Sequence, residues 1–94
     1  MDLNLRVTPS PTTIFQEVEG EAVLLNLDRA EYFGLDETGT RVWELLQEHG
    51  STGAIVEQML LEFGVAPQRL EADLEHLLHD LLDNGLIALG PAEP

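Results

Sequence analysis

Few side chains in this 94-residue chain have the type and spacing that chemistry needs. His76 and His79 stand three residues apart, with Asp73, Asp80 and Asp83 close by. Imidazole and carboxylate ligands at helical spacing can share a metal ion. Here they fall on the face opposite a row of leucines, and no second cluster joins them, so they read as solvated surface. His49 sits near the end of a predicted helix, where a cation is favoured by the helix dipole. Ser10 and Ser51 fall in a loop and at a helix start. There is no G-x-S-x-G elbow, no phosphate-cradling glycine loop and no H-E-x-x-H zinc motif. The absence of cysteine excludes thiol nucleophiles, Cys–zinc sites and disulfides. The carboxylates form many pairs but no defined pocket. The expectation is a binding protein with no catalytic residue, metal or cofactor.

The charge narrows the partner. Eighteen Asp and Glu face four Arg and no Lys, a net charge of −14. Affinity for polyphosphates depends on Lys and Arg displacing condensed counterions, so nucleic acid is a poor partner. Anionic lipid surfaces repel such a chain. A basic peptide or protein would be attracted and steered in, while the bland alternative is that the acid only maintains solubility. The N-terminus MDLNLRVTPSPTT lacks the basic and continuous apolar regions of a secretory signal. No apolar run reaches the length of a membrane span, and the expected location is the cytoplasm. Hydrophobic content of 44% suits one small folded domain with a modest core.

The elements that would position a site follow from patterning. Residues 1–11 read as a loose arm. Pro9 and Pro11 oppose regular pairing there, although Leu3, Leu5 and Val7 alternate as in a short docking strand. Thr12–Glu19 is rich in β-branched and aromatic residues and reads as a strand. Gly20 marks a turn, and Ala22–Leu27 is a second strand whose continuous apolar run predicts cover on both faces. Asp28, Arg29 and Ala30 turn the chain into a third strand, Glu31–Leu35, completing an antiparallel meander.

Asp36 is placed to cap a first helix, with Val42, Leu45 and Leu46 on its apolar face and Trp43 at the edge. Gly50 ends it. A second helix starts at Ser51 or Thr52, buries Ile55, Val56, Met59, Leu60 and Phe63, and ends at Gly64. Pro67 suits the first position of a third helix, whereas Ala66 before it lacks a capping side chain. Leu70, Leu74, Leu77, Leu78, Leu81 and Leu82 form a stripe spanning about 140° of that helix. Such a width serves either the core alone or the core on one side and a groove on the other. Asn84 and Gly85 stop the helix, Leu86–Leu89 pairs or packs briefly, and residues 90–94 form a tail.

The strongest lead is the strand Glu31–Leu35. Its outer edge is free unless a helix covers it, and free edges invite another strand. EYFGL offers only Glu31 as a blunting charge beside the large Tyr32 and Phe33. An aromatic edge next to an apolar helix suits the addition of a peptide strand. Taken singly, Phe33 and Leu35 still read as core.

The run Val23–Leu27 followed by Asp28, then Tyr32, Phe33, Leu35 and Asp36, then Gly39, Trp43, Leu45 and Leu46, resembles the PqqD-like family, also called RiPP precursor recognition elements. Members often carry V-L-L-N/D-L, a D-x-G turn, Y-Y/F-x-L-N/D and a helical G-x-x-x-W-x-L-L. Val65 and Pro67 match the V-x-P start of the family's long third helix. The similarity extends from about Ile14 to Leu89. Ala30 departs from the Gly often found in the turn, and Ala66 from the usual acidic cap.

The resemblance implies an α+β, winged-helix-like fold over residues 12–89, with a three-stranded antiparallel meander followed by three helices. It implies a non-catalytic role in binding the leader segment of a ribosomally made precursor peptide. The leader would add as a strand beside Glu31–Leu35 and fill the cleft with the third helix. Standalone members of this size occur in lasso-peptide gene clusters, with a separate leader peptidase and a macrolactam cyclase. Others serve quinone-cofactor synthesis or radical-SAM maturases.

Carried onto this chain, the backbone of Glu31, Tyr32 and Phe33 pairs with the leader. Leu25, Leu27 and Tyr32 border an apolar pocket, Leu70, Leu74 and Leu77 line the helix side, and Asp73 meets a polar or basic leader residue. In the competing assignment Leu74 and Leu77 are wholly core. Two other readings are a winged-helix DNA-binding regulator, which the charge opposes, and an acidic protein–protein adaptor.

Overall fold

The computed structural model describes residues 4–91. Leu3, where the predicted N-terminal alternation begins, and residues 92–94 of the predicted tail lie outside that range. The element order is β1 (Leu5–Pro9), β2 (Thr13–Val18), β3 (Glu21–Asn26), β4 (Glu31–Leu35), α1 (Glu37–His49), α2 (Thr52–Phe63), α3 (Pro67–Asp83) and β5 (Ile87–Pro91). Strands β2, β3 and β4 form the antiparallel meander, in that order, and the three helices follow. The chain thus has the α+β, three-strand, three-helix arrangement expected of it.

At the N-terminal end, the short docking strand allowed by the alternation of Leu5 and Val7 is what the structure shows. The segment read as a loose arm contributes β1, which pairs antiparallel with β5 from Leu5 opposite Pro91 to Pro9 opposite Ile87. Val7 is buried in the core, and its amide donates to the Gly50 carbonyl at 2.9 Å. Pro9 is tolerated because it is the last residue of its strand, where a missing donor costs least. Residues 90 and 91, assigned to the tail, belong to β5 for the same reason.

The turn between β3 and β4 is held by a buried asparagine. Asn26 Oδ1 accepts from the amides of Asp28 at 3.0 Å and Arg29 at 3.2 Å, and its Nδ2 donates to the Asn84 carbonyl at 2.8 Å. Arg29 Nη1 donates to the Asp83 carbonyl at 2.9 Å. These bonds tie the hairpin to the C-terminal end of α3. Ala30 takes φ = 54°, the left-handed region that the family's glycine suits.

Helix α1 starts directly after β4. Asp36 Oδ1 accepts from the Gly39 amide at 2.7 Å, satisfying one of the first-turn donors. Thr40 Oγ1 accepts from the Ala22 amide at 2.9 Å and donates to the Asp36 carbonyl at 2.7 Å, locking the helix start to β3. A Cβ on Gly39 would lie 3.2 Å from both Leu35 Cδ2 and Asp36 Oδ1, so the close approach of strand and helix needs a bare residue there. Ser51 caps α2 through the Ala54 amide, and α3 has no side-chain cap at Ala66.

The core gathers Leu24, Leu35, Val42, Leu45, Leu46, Ile55, Met59, Leu74, Leu78 and Leu81 with Val7 and Ile87 from the paired ends. Trp43, predicted at the edge of the α1 face, is also buried, because α1 packs against α2, β1, β3 and β4 and has little free edge. Its indole N–H finds no acceptor among the described residues. Phe63, predicted as core, is exposed at the last residue of α2. The meander is covered on one face. Ala22, Leu24 and Asn26 point inward, while Val23 on the other face is exposed, contrary to the two-sided cover expected from the apolar run.

Candidate functional site

Strand β4 pairs with β3 along one side, and no described strand pairs with its other side. Backbone donors and acceptors along that side therefore have no ladder partner. Across from this edge stands α3. Between them lies a cavity of about 540 Å³ lined by Phe33, Gly34 and Leu35 of β4, Asp36, Thr38 and Gly39 at the start of α1, and Asp73 and Leu77 of α3. A smaller cavity of about 290 Å³ adjoins it. Thr38, Asp73 and Leu77 line both, so the two form one groove. The smaller part is walled by Val42, Met59, Phe63 and Val65, with Leu70 and Leu74 at its base.

The geometry of the groove follows from how α3 is held. Its C-terminal end is bonded to the β3–β4 turn through Asn26 and Arg29, and Leu78 and Leu81 are buried. Nearer its uncapped N-terminus, Leu77 is half-buried and Asp73 exposed. Leu74 is 3% exposed, so it is core with one side on the groove, while Leu77 is the groove wall. Asp73 Oδ2 lies 3.7 Å from Arg69 Nε, an exposed ion pair on the groove lip. The surface on offer is apolar, with a carboxylate and a guanidinium at its margin. It suits an extended segment that supplies backbone bonds to β4 and apolar side chains to the hollow.

Of the residues picked from sequence, Phe33, Leu70, Asp73, Leu74 and Leu77 come together around this groove. Glu31 opens β4 opposite Asn26 and is exposed. Leu25 and Tyr32 are not brought to the groove. They face each other across β3 and β4 on the side of the sheet away from the helices, because strand residues alternate and Phe33 takes the inward position. Leu27 is exposed beyond the end of β3. The apolar pocket expected from Leu25, Leu27 and Tyr32 is thus not part of the cleft. Sequence reasoning missed Phe63 and Val65, which flank Gly64 between α2 and α3. Their signal was present: two large apolar residues on either side of a helix stop have little core to share.

The histidine cluster lies elsewhere. His76 Nε2 is 3.6 Å from Asp80 Oδ2 on the exposed face of α3. Among the described residues no group of three or more His, Cys, Asp or Glu is placed to hold a metal ion. Among them also, no helix is long and apolar enough to cross a membrane.

A short antiparallel sheet with a free edge, set against a helix over an apolar groove, defines a small strand-accepting binding module. Residues 21–87 match the family model for coenzyme PQQ synthesis protein D (PqqD), well over half of the chain, and the chain belongs to the PqqD family. It is also similar to a solved structure of TbiB1 in complex with the TbiA(beta) leader peptide. The two share 34% sequence identity with a TM-score of 0.83, over 92% of this chain and 99% of that one. No curated protein sequence matches the chain.

Proposed function

We propose that this domain binds, without catalysing a reaction, the leader segment of a ribosomally synthesised precursor peptide, of the lasso-peptide kind. The leader adds antiparallel or parallel to β4 through the backbone of Glu31, Tyr32 and Phe33. Alternate leader side chains enter the groove against Leu77, with Leu70 and Leu74 beneath. Asp73 meets a polar or basic leader residue on the lip. In the cytoplasm the bound leader is presented to a leader peptidase and to a macrolactam cyclase. The observation that carries this reading is the free edge of β4 facing Leu77 and Asp73 across an apolar hollow. The likeness to a structure solved with a leader peptide supports it.

The test is a fluorescence-polarisation titration with a labelled leader from the precursor gene that neighbours this one. Saturable binding at low salt is expected. Failure of several candidate leaders to bind at low salt sinks the reading.

A further inference from the structure

Asn26 and Arg29 reach from the β3–β4 turn to the end of α3, and neither lines the groove. The last carbonyls of a helix have no partner within it. α3 has no basic residue in its last turn. The Asp83 and Asn84 carbonyls are met instead from the hairpin, by Arg29 Nη1 at 2.9 Å and Asn26 Nδ2 at 2.8 Å. The guanidinium also sets a cation at the negative end of the helix dipole. Gly85 passes flush against both side chains: a Cβ there would lie 3.0 Å from Asn26 Nδ2 and 3.4 Å from Arg29 Nη2. Asn26 is 3% exposed, so a polar amide holds a position where an aliphatic side chain would bury more apolar surface. What the amide adds over apolar packing is direction, through its bonds to two turn amides and to the Asn84 carbonyl.

This clasp bears on the groove through its place in the fold. β4 begins at Glu31, directly after the turn, and Asn26 stands opposite Glu31 in the register. α3 packs chiefly on α2 and β5. The two walls of the groove are thus fastened to each other by polar bonds where β4 starts and α3 stops. Phe33, Asp73 and Leu77 face the hollow further along both elements. We propose that Asn26 and Arg29 are positioning residues for leader binding. They hold α3 at one setting relative to β4, so the groove has the shape the leader needs before the leader arrives. The inference rests on the reading above in that the leader occupies this groove. A site shaped in advance does not have to be ordered by its ligand. With the clasp broken, α3 samples other settings, only a fraction of the molecules is competent, and apparent affinity falls by that fraction. That loss falls on the association rate, whereas loss of a direct contact raises the dissociation rate.

The experiment measures association and dissociation rates of the labelled leader from the neighbouring precursor gene with the full chain, by stopped-flow fluorescence polarisation. Arg29→Met removes the guanidinium and keeps the stem, and Arg29→Lys keeps a donor for the Asp83 carbonyl. Asn26→Ala removes the amide. Val7→Ala, in the core on β1 and outside both clasp and groove, is a control that lowers the urea midpoint. All are measured where circular dichroism shows them folded. Arg29→Met and Asn26→Ala are expected to raise the leader Kd by about fivefold or more, mostly through slower association. Arg29→Lys and Val7→Ala should stay within about twofold of wild type. Should Asn26→Ala not fold, the two variants at the exposed Arg29 still decide. A folded Arg29→Met chain with wild-type affinity overturns the inference and leaves the clasp a matter of stability. A loss carried by faster dissociation also overturns it, by making Arg29 a contact residue. An equal loss in Val7→Ala overturns it too, since lowered stability alone would then account for the effect. A wild type that binds no leader overturns the leader reading, and this inference with it.

Discussion

Leu77 separates core from groove within a single stripe of leucines. It is half-buried and lines both parts of the hollow, whereas Leu81, one turn further on, is fully buried. Leu77→Asp should leave the chain folded by circular dichroism, with a lowered urea midpoint because Leu77 also packs against the core, and abolish leader binding in a titration. Leu81→Ala should lower stability by about 2–5 kcal/mol, the usual cost of an emptied core position. The wheel alone could not make this division, because the two leucines lie on one continuous apolar arc. What divides them is tertiary packing: Leu81 lies nearer the end of α3 that Asn26 bonds to the hairpin across more than fifty residues of chain, and Leu77 lies one turn further from it. Ala30 is a second residue-scale case. It holds φ = 54°, where a Cβ is strained, so Ala30→Gly should raise stability by up to about 1 kcal/mol in urea unfolding. The family resemblance flagged that position, since members often carry a glycine there.

Among the elements, those built from local signals were legible. The meander followed from β-branched and aromatic runs broken by turns, and the helices from Asp36, Ser51 and Pro67 at their starts and Gly50 and Gly64 at their ends. The pairing of β1 with β5 was not, because its partners are about eighty residues apart and neither run is self-evidently a strand. The packing of α1 on α2 carries an exposed link of its own. Arg41 donates to both carboxylate oxygens of Glu62 at 2.8 Å, and Gln58 donates to one of them at 2.9 Å. These bonds, Arg41 first, hold the Glu62 carboxyl down from 4.5 to about 2. A carboxyl depressed on folding stabilises the native state fully above its unfolded value and ceases to do so as pH falls through its folded value. The link is therefore intact above about pH 4.5 and lost as pH falls toward about 2. Glu62→Gln should lower the urea midpoint modestly near neutrality, where the link is intact, and the difference from wild type should vanish as pH falls toward about 2.

At the scale of the molecule, two properties act together. The charge of −14 makes phosphate backbones poor partners. The fold leaves one strand edge open beside an apolar groove. The membership of the PqqD family and the likeness to a leader-bound structure fit that combination. The central claim is that the leader joins the sheet at β4. Backbone amide exchange of the full chain, with and without saturating leader, tests it most directly. Amides of Glu31–Leu35 that face the open edge should exchange markedly more slowly in the complex, with those of β2 little changed. Saturable leader binding that leaves every β4 amide exchanging at its free rate would contradict the account.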